Sequence, residues 1–522
     1  MCHQSAFCVR QRAYAVLSPP AYVVSSILPK DASSFSFHVL NSLTQVTYIA
    51  SLSFLANQAI RFQLNERDPL HPRFSPEKYS LVDLTYSTDF SVDTSSKQST
   101  IIRFGLRTIT INHSPFSLKI EFKGQVVFSF NTRNFLQYEH YRNKDAPLIT
   151  LQDPVKGPVQ VDSPNKDVEE KLNYQLHEES FKDKTDSKPR GPASIGFDVQ
   201  FHGFKRVYGI PEHAADFALK PTRGGKKQFD EPYRLYNLDV FEYILDSPMA
   251  LYGSIPYLLA SNPSSSVGFL FNNGAEMWVD VEDLGTDTSV HWMAESSVLD
   301  TFILTAPTAL EIHSQMNGIS GRPTMPQLFS LAYHQCRWNY NDEEDVRTVD
   351  GGFDQHGIPY DVLWLDIEHT IEKKYFTWDS SKFPSPQEMQ ASLAKKGRRM
   401  VTIIDPHIKV DSGYYVSSEA GSKDLFVKDK DSNAFQGWCW PGNSNWIDFL
   451  NSNARAFWAS LFEWDKYVGS TETLYTWNDM NEPSVFSGPE ITMPKDNLHS
   501  TGEGESKVEH RDVHNLYGML QV

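Results

Sequence analysis

Apolar and polar residues alternate in short runs through roughly the first 250 residues of the chain. Runs rich in β-branched and aromatic residues and separated by turn residues are typical of strands with one buried face. They lie at residues 79–84, 100–111, 116–122, 125–130, 194–202, 206–210 and 251–260. Because no helical period of comparable regularity comes between them, we predict an antiparallel β-sandwich domain over residues 1–325.

Residues 153–192 interrupt this pattern. They are rich in Lys, Asp, Glu, Ser and Pro and contain few large apolar residues. A segment of this composition cannot bury enough apolar surface to offset the entropy that it would lose on ordering. We therefore predict a disordered insertion or linker at this place in the sandwich domain.

From residue 326 the pattern changes to strands that are apolar on both faces and alternate with amphipathic helices. The predicted strands are 328–338, 360–368, 399–408 and 474–479, and the predicted helices are 341–357, 386–396 and 452–464. Strands of this kind that alternate with helices indicate βαβ units and a parallel sheet. Residues 326–522 therefore predict an α/β domain, either a doubly wound sheet or a (β/α)8 barrel.

Acidic residues stand at the carboxyl ends of three of these predicted strands. They are Asp366, Asp405 and Asp479. The carboxyl ends of parallel strands lie at one edge of a sheet, and in a barrel that face carries the active site. A single aspartate there could simply cap a helix. Three at matching places predict a functional site.

Charge and hydropathy exclude several classes of partner. The chain has 522 residues, with 48 Lys and Arg against 65 Asp and Glu, which gives a net charge of −17. A protein this acidic is poorly suited to nucleic acid or to an anionic membrane surface. No window reaches the ~18 apolar residues of a membrane span, so we predict no membrane-spanning segment.

The cysteines are too few for a disulfide scaffold, and their spacing does not match a zinc site. They are Cys2, Cys8, Cys336 and Cys439. Cys2 and Cys8 are close enough to form a small disulfide loop in an oxidising compartment. They could equally be free thiols on a frayed terminus, and their spacing leaves both interpretations open.

The densest group of candidate catalytic residues lies at 477–484. Asp479 follows an apolar strand, where it can stay ionised and present an oxygen to a reacting carbon. Glu482 can orient a substrate hydroxyl, and Pro483 cannot extend the sheet. Nearby tryptophans offer apolar faces that suit a sugar ring. They are Trp338, Trp364, Trp438, Trp440 and Trp477, of which we expect Trp364 to pack in the core.

Carboxylates that are not accompanied by an evident set of metal ligands favour glycoside hydrolysis. A retaining glycosidase uses one carboxylate as nucleophile and another as acid/base. The rival hypothesis is a metal-dependent barrel hydrolase. Its ligands would be His334, His369 and His407 with Asp366 or Asp405. Because the chain has no His-x-His pair and no HExxH motif, we expect these histidines to be structural and no metal to be bound.

Seven stretches of the sequence resemble, in the same order, blocks of the α-glucosidases of glycoside hydrolase family 31. They are EPYRLYNLDVFEY, LYGSIPYLLA, FSLAYHQCRWNYNDEEDV, PYDVLWLDIEHT, IIDPHIKVDSGY, GWCWPG and WNDMNEPS. The last resembles the family's nucleophile motif. The form WLDIEH and the opening CHQSAFCVRQR are similar to the branch of the family that acts in the endoplasmic reticulum.

The resemblance implies a galactose-mutarotase-like sandwich followed by a (β/α)8 barrel, with no metal or cofactor. It implies that Asp479 is the nucleophile and that Glu482 supports it. Asp366 and Asp239 would bind hydroxyls of the glucose in the −1 subsite. The other implied pocket residues are Trp338, Ile367, Ile408, Trp440, Trp477 and Met480.

The reaction implied by the resemblance is hydrolysis, with retention, of terminal α-1,3-linked glucose from glucosylated high-mannose N-glycans. This reaction belongs to glycoprotein processing in the lumen of the endoplasmic reticulum. The implied partner is a non-catalytic β subunit with a lectin-like domain. For that compartment the resemblance favours a disulfide between Cys2 and Cys8, and the sequon at Asn112 permits glycosylation.

The sequence also departs from the family. The family's acid/base aspartate lies in a Trp-x-Gly-Asp motif downstream of the nucleophile, and no such motif follows Asp479. Residues 326–522 supply four predicted strands, whereas a closed barrel needs eight. Residues 499–510 are longer and more polar than the family's segment, and no signal peptide opens the chain. We therefore predict an inactive portion of a longer enzyme, or alternatively a non-catalytic fragment that binds carbohydrate or a subunit.

Overall fold

The chain forms two compact units. The computed structural model describes residues 1–17, 21–141, 151–153, 157–159, 176–502 and 507–522. The first unit contains Met1–Arg322 with Arg511–Asn515, and the second contains Pro323–His510 with Leu516–Val522. The division lies between residues 322 and 323, and the sequence predicts one between 325 and 326.

The first unit is built mainly of strands. In chain order they are Tyr22–Ile27 (β1), Ser34–Asn41 (β2), Thr47–Phe54 (β3), Ile60–Glu66 (β4), Ser91–Asp93 (β5), Ser99–Phe104 (β6), Arg107–His113 (β7), Phe116–Phe122 (β8), Gln125–Phe130 (β9), Gln137–Tyr138 (β10), Leu151–Asp153 (β11), Gly157–Val159 (β12), Glu178–Phe181 (β13), Lys184–Ser187 (β14), Ile195–Phe201 (β15), Tyr208–Gly209 (β16), Tyr233–Leu235 (β17), Tyr257–Ser261 (β18), Ser266–Phe271 (β19), Met277–Asp283 (β20), Thr288–Ala294 (β21) and Leu299–Ala306 (β22). Its helices are Ala6–Leu17 (α1), Glu77–Ser80 (α2) and Ala309–Ser320 (α3).

Two antiparallel sheets of this unit pack face to face, as the sequence predicts for a sandwich. One runs β1-β2-β3-β4-β22-β19-β18-β16, and the other runs β17-β20-β21-β15-β9-β8-β7-β6-β5. Along β2 every second residue is buried, which is the period of a strand with one face in the core. Aromatic rings fill the space between the sheets. Phe62 lies 5.0 Å from Phe130, and Phe197 lies 5.1 Å from Phe271, between ring centroids.

Two predictions for this unit are wrong in detail, and one helix is missing from them. Residues 79–84 are not a strand, because Glu77–Ser80 forms one helical turn in which Ser80 donates to the Pro76 carbonyl. Residues 100–111 form two strands, β6 and β7, separated by a turn with Gly105 at φ 54°. Helix α3 was not predicted, although Thr308 and Glu311 cap its start reciprocally.

Part of the predicted disordered insertion is ordered. Within 153–192, residues 154–156 and 160–175 lie outside the described residues. Strands β13 and β14 pair as a hairpin, and the Lys188 N–H after it donates to the His177 carbonyl over 2.7 Å. The buried ammonium of Lys188 pairs with Glu179, which also accepts from the backbone N–H of Ala6. The hairpin thus folds because its charged side chains have specific partners in the sandwich.

The amino terminus is not frayed. Cys2 and Cys8 form a disulfide with their Cα atoms 5.4 Å apart, and both residues are buried. Helix α1 follows, and Arg10 forms a buried ion pair with Glu139 over 2.8 Å. The loop therefore belongs to the folded unit.

The second unit contains a parallel sheet with helices. Its strands are His334–Gln335 (β23), Val362–Leu365 (β24), Arg399–Ile403 (β25), His407–Lys409 (β26), Gly437–Cys439 (β27), Gly442–Trp446 (β28), Leu474–Trp477 (β29), Leu498–Ser500 (β30) and Lys507–Glu509 (β31). Its helices are Glu343–His356 (α4), Pro386–Lys395 (α5), Tyr415–Ser422 (α6), Ser452–Ser460 (α7), His510–Val513 (α8), which continues into the first unit, and Tyr517–Gln521 (α9).

The parallel sheet runs β23-β24-β25-β29 and connects through helices, as the sequence predicts. The predicted strand 328–338 is wrong in its extent, because Leu328–Leu331 forms a 3₁₀ helix and only His334–Gln335 pairs with β24. Helix α4 begins where Asp342 accepts from the Asp345 N–H and ends at Gly357, whose φ of 64° suits glycine. Over the described part of the chain the sheet is open, with β23 and β29 at its edges, so no closed barrel is seen. No described helix has the length and apolar composition that a bilayer crossing requires.

We expect Phe197→Ala to lower the free energy of unfolding by about 3–5 kcal/mol, because it removes a ring that is fully buried between the sheets. Chemical denaturation measures the change. Phe217→Ala is the matched control, because Phe217 is 86% exposed, and we expect a change below about 0.5 kcal/mol there. Equal effects of the two substitutions would contradict the placement of Phe197 in the core.

Candidate active site

The hydrogen-bonded register of the parallel sheet places the three predicted acids at its carboxyl edge. Leu365 of β24 lies beside Thr402 of β25, and Ile403 of β25 lies beside Trp477 of β29. Asp366 follows its strand by one residue. Asp405 and Asp479 each lie two residues beyond the last pair, just past the ends of neighbouring strands.

Asp479 is half-buried at the end of β29. Its Oδ1 accepts a hydrogen bond of 2.9 Å from the backbone N–H of Met480. Burial raises the pKa of Asp479, and the bond from Met480 opposes that rise. Met480 has φ 59°, an uncommon conformation for a residue with a side chain. The chain therefore turns sharply at the point where the carboxylate emerges.

Asp366 caps the short 3₁₀ helix Ile367–His369, and its Oδ1 accepts from the Ile367 N–H over 2.6 Å. Burial raises the pKa of Asp366, the Ile367 N–H opposes it, and the negative charge of Asp479 adds to the rise. Asp366 and Asp479 are therefore close enough to interact through their charges. Glu482 is buried three residues beyond Asp479.

Asp405 is completely buried behind these groups. Its Oδ2 accepts a hydrogen bond from the hydroxyl of Tyr375, which also lies 2.9 Å from Nε2 of His407. Burial raises the pKa of Asp405 well above its usual range. Sequence reasoning missed Tyr375, because it lies in the loop after β24 and only the folded chain brings it to Asp405.

The tryptophans divide between exposed and packed positions. Trp338 is 74% exposed and Trp440 is 45% exposed, and Trp438 is exposed as well. Trp364, which we expected in the core, is half-buried. Its ring lies 5.3 Å from that of Trp477. Ile367, Ile408 and Met480 are buried members of the unit's apolar core.

Each of the three candidate metal histidines is hydrogen-bonded to protein. His334 accepts from the indole N–H of Trp364 over 2.9 Å, and His369 donates from Nδ1 to the Asp366 carbonyl over 2.8 Å. Burial lowers the pKa of His369 to about 4 and that of His407 to about 3. Across the described ranges, no group of three His, Cys, Asp or Glu side chains is placed to hold a metal ion.

Asp239 belongs to the first unit, in the loop that follows β17. The hydroxyl of Tyr252 donates to the Val240 carbonyl over 2.6 Å, and the Leu238 N–H donates to the Leu251 carbonyl over 3.1 Å. Asp239 is half-buried. Backbone contacts on both sides of this aspartate therefore fix its loop.

Two family models match the chain. Residues 323–522 match the glycosyl hydrolases family 31 TIM-barrel domain, and residues 49–280 match the glycosyl hydrolase 31 N-terminal galactose mutarotase-like domain. A curated relative from Oryza sativa subsp. japonica, named as a probable glucan 1,3-alpha-glucosidase, is 43% identical. The match covers 99% of this chain and 55% of the relative.

Solved structures give the same result. A crystal structure of a glucosidase II alpha subunit with Glc1Man2 bound has a TM-score of 0.89 and 42% identity, covering 99% of this chain and 58% of that chain. A heterodimeric endoplasmic-reticulum glucosidase II, with its catalytic subunit and the binding domain of its regulatory subunit, matches with the same four values. The chain thus spans a little over half the length of these relatives.

We expect His369 to lower the free energy of unfolding as the pH falls. An unfolded histidine has a pKa near 6.5 and buried His369 about 4, so the unfolded state binds more protons between these values. The contribution of His369 to the free energy of unfolding is complete above pH ~6.5. It is lost as the pH falls towards 4, and the loss is on the order of 3 kcal/mol.

Urea unfolding at a series of pH values measures this loss. We expect His369→Asn, which can keep a donor to the Asp366 carbonyl, to make the pH dependence shallower. His356→Asn is the control because His356 is exposed at the end of α4, and we expect its profile to match the wild type. A His369→Asn profile as steep as that of the wild type would refute the assignment.

Proposed function

Because the chain belongs to glycosyl hydrolase family 31, we propose that it carries the nucleophile and the glucose-binding residues of a retaining α-glucosidase. The observation that carries the proposal is the pair Asp366 and Asp479, which interact at the carboxyl ends of parallel strands. Exposed tryptophans, Trp338 and Trp440 among them, belong to the same unit. Carboxylates next to aromatic faces suit a ring that has apolar C–H faces and polar hydroxyls.

In the proposed mechanism Asp479 attacks the anomeric carbon. The Met480 N–H holds Oδ1, while Oδ2 accepts no hydrogen bond from any described residue and is available to form the new C–O bond. The glycosidic oxygen leaves with a proton from a second carboxylic acid, and water then hydrolyses the glycosyl–enzyme ester with retention. We assign Asp479 to the nucleophilic step and no residue of this chain to the acid/base step.

The remaining site residues would bind the sugar. Asp366 and Asp239 would accept hydrogen bonds from glucose hydroxyls, and buried Glu482 would support Asp479. The exposed rings of Trp338 and Trp440 are available for stacking. The other residues would form or back the wall of the subsite, and these are Ile367, Ile408, Trp477 and Met480.

The substrate we propose is terminal α-1,3-linked glucose on an N-glycan precursor, in the lumen of the endoplasmic reticulum. The name of the rice relative supports the linkage, and the Glc1Man2 bound to the solved alpha subunit supports a glucosylated mannose glycan. The heterodimeric structure supports a regulatory β subunit as partner. The disulfide between Cys2 and Cys8 agrees with an oxidising compartment.

We expect Asp479→Ala in the native protein that carries this sequence to reduce hydrolysis of p-nitrophenyl α-glucoside by more than about 10⁴-fold, because no covalent intermediate can form. Proton NMR of the first product should show the α-anomer in the wild type. Asp361→Asn is the matched control, because Asp361 precedes β24 at the opposite end of the strand. We expect it to keep full activity.

Two outcomes would contradict the proposal. Activity retained by Asp479→Ala would remove the nucleophile assignment, and a β-anomeric first product would exclude retention. Calorimetry with an α-glucosidase iminosugar inhibitor distinguishes an enzyme from a protein that only binds carbohydrate. Binding of the inhibitor by a wild type that shows no turnover would favour a carbohydrate-binding protein over an enzyme.

A further inference from the structure

Asp405 and Asp479 are adjacent acids with very different surroundings. They lie just past the carboxyl ends of neighbouring parallel strands, each two residues beyond the pair of Ile403 and Trp477. The negative charge of Asp479 acts on Asp405, and two carboxylates that interact in this way are not easily both ionised. Their surroundings therefore decide which of the two carries the charge.

Asp405 has no exposed surface. Its Oδ2 accepts from Tyr375, and Nε2 of His407 lies 3.7 Å from the same oxygen. Its Oδ1 has no hydrogen-bond partner, and no described lysine or arginine pairs with it. The charged groups that act on it are Asp366, Asp479 and Glu482, all of them acids.

An ionised carboxylate is poorly accommodated in such a place. A buried charge needs a countercharge or several hydrogen bonds, and Asp405 has a single bond from a neutral hydroxyl. His407 does not supply the countercharge, because burial keeps it neutral, with a pKa of about 3. Asp479 is half-exposed and receives a backbone N–H, so it tolerates a charge far better.

We propose that Asp405 is a neutral carboxylic acid, so that Asp405 and Asp479 together hold one negative charge and that charge lies on Asp479. Asp405 then acts as a positioning residue that leaves the neighbouring carboxylate ionised for attack. Burial, and after it the charges of Asp479, Asp366 and Glu482, raise the pKa of Asp405, and the Tyr375 bond opposes this. The catalytic consequence rests on the proposed function, whereas the charge state of Asp405 does not.

Infrared difference spectroscopy of the native protein tests the charge state without any assay of activity. Asp405→Asn should remove one C=O stretching band of a protonated carboxylic acid at neutral pH. Asp350→Asn is the matched control. Asp350 is also buried and accepts from a tyrosine, Tyr360, but Lys396 and Arg398 pair with it, so no such band should be lost.

If Asp405→Asn lost a carboxylate band of the wild type and kept every C=O band of a protonated acid, the proposal would be overturned. Near-ultraviolet circular dichroism checks that each variant is folded. If Asp405→Asn does not fold, Tyr375→Phe replaces it, because removing the hydroxyl takes away the one bond that favours the charged form. The acid band should then persist at a shifted frequency, and its absence from both wild type and Tyr375→Phe would overturn the proposal.

The pH profile of kcat/KM tests the consequence for Asp479. If Asp405 is already neutral, Asp405→Asn removes no charge, and we expect the acid limb to stay within about 0.3 pH units of the wild type. If Asp405 is ionised in the wild type, removing its charge should move that limb down by about one unit or more, which would overturn the proposal. A wild type without glucosidase activity would refute the proposed function and leave the infrared result to decide the charge state.

Discussion

The parallel register of β24, β25 and β29 is the constraint on which the site depends. Backbone hydrogen bonds fix Leu365 beside Thr402 and Ile403 beside Trp477. Acids separated by tens of residues in the sequence therefore emerge together at one edge of the sheet. Because a shift of one residue in a strand turns every side chain to the other face, the same bonds that order the sheet also aim the carboxylates.

The site brings several acidic side chains together, and the burial of each one influences whether it is ionised. Four acids lie near one another, Asp366, Asp405, Asp479 and Glu482. The two buried histidines of this unit, His369 and His407, remain uncharged. Such surroundings favour a small number of ionised groups at defined atoms, which is what nucleophilic chemistry at neutral pH needs.

Much of this organisation could be predicted from the sequence. The strands β24, β25 and β29 and the acids that follow them were predicted because strands apolar on both faces are a strong local signal. The link between Tyr375 and Asp405 could not be, because it joins residues 30 positions apart through a loop. Helix α1 and the hairpin of β13 and β14 were missed for a similar reason. Both are held by partners far along the chain, such as Glu139 for Arg10 in α1 and Ala6 for Glu179 in the hairpin.

The closed loop at the amino terminus has a consequence for biosynthesis. The loop and helix α1 pack on Trp278 and Met293, and Arg12 bonds Asp280 across 268 positions. At about 5–20 residues per second, the ribosome takes on the order of ten seconds to a minute to make the strands that cover them. Through that interval the thiols of Cys2 and Cys8 exist without the surface that later buries them. The disulfide can therefore close in a segment that is still flexible, and the strands that cover it are added only afterwards.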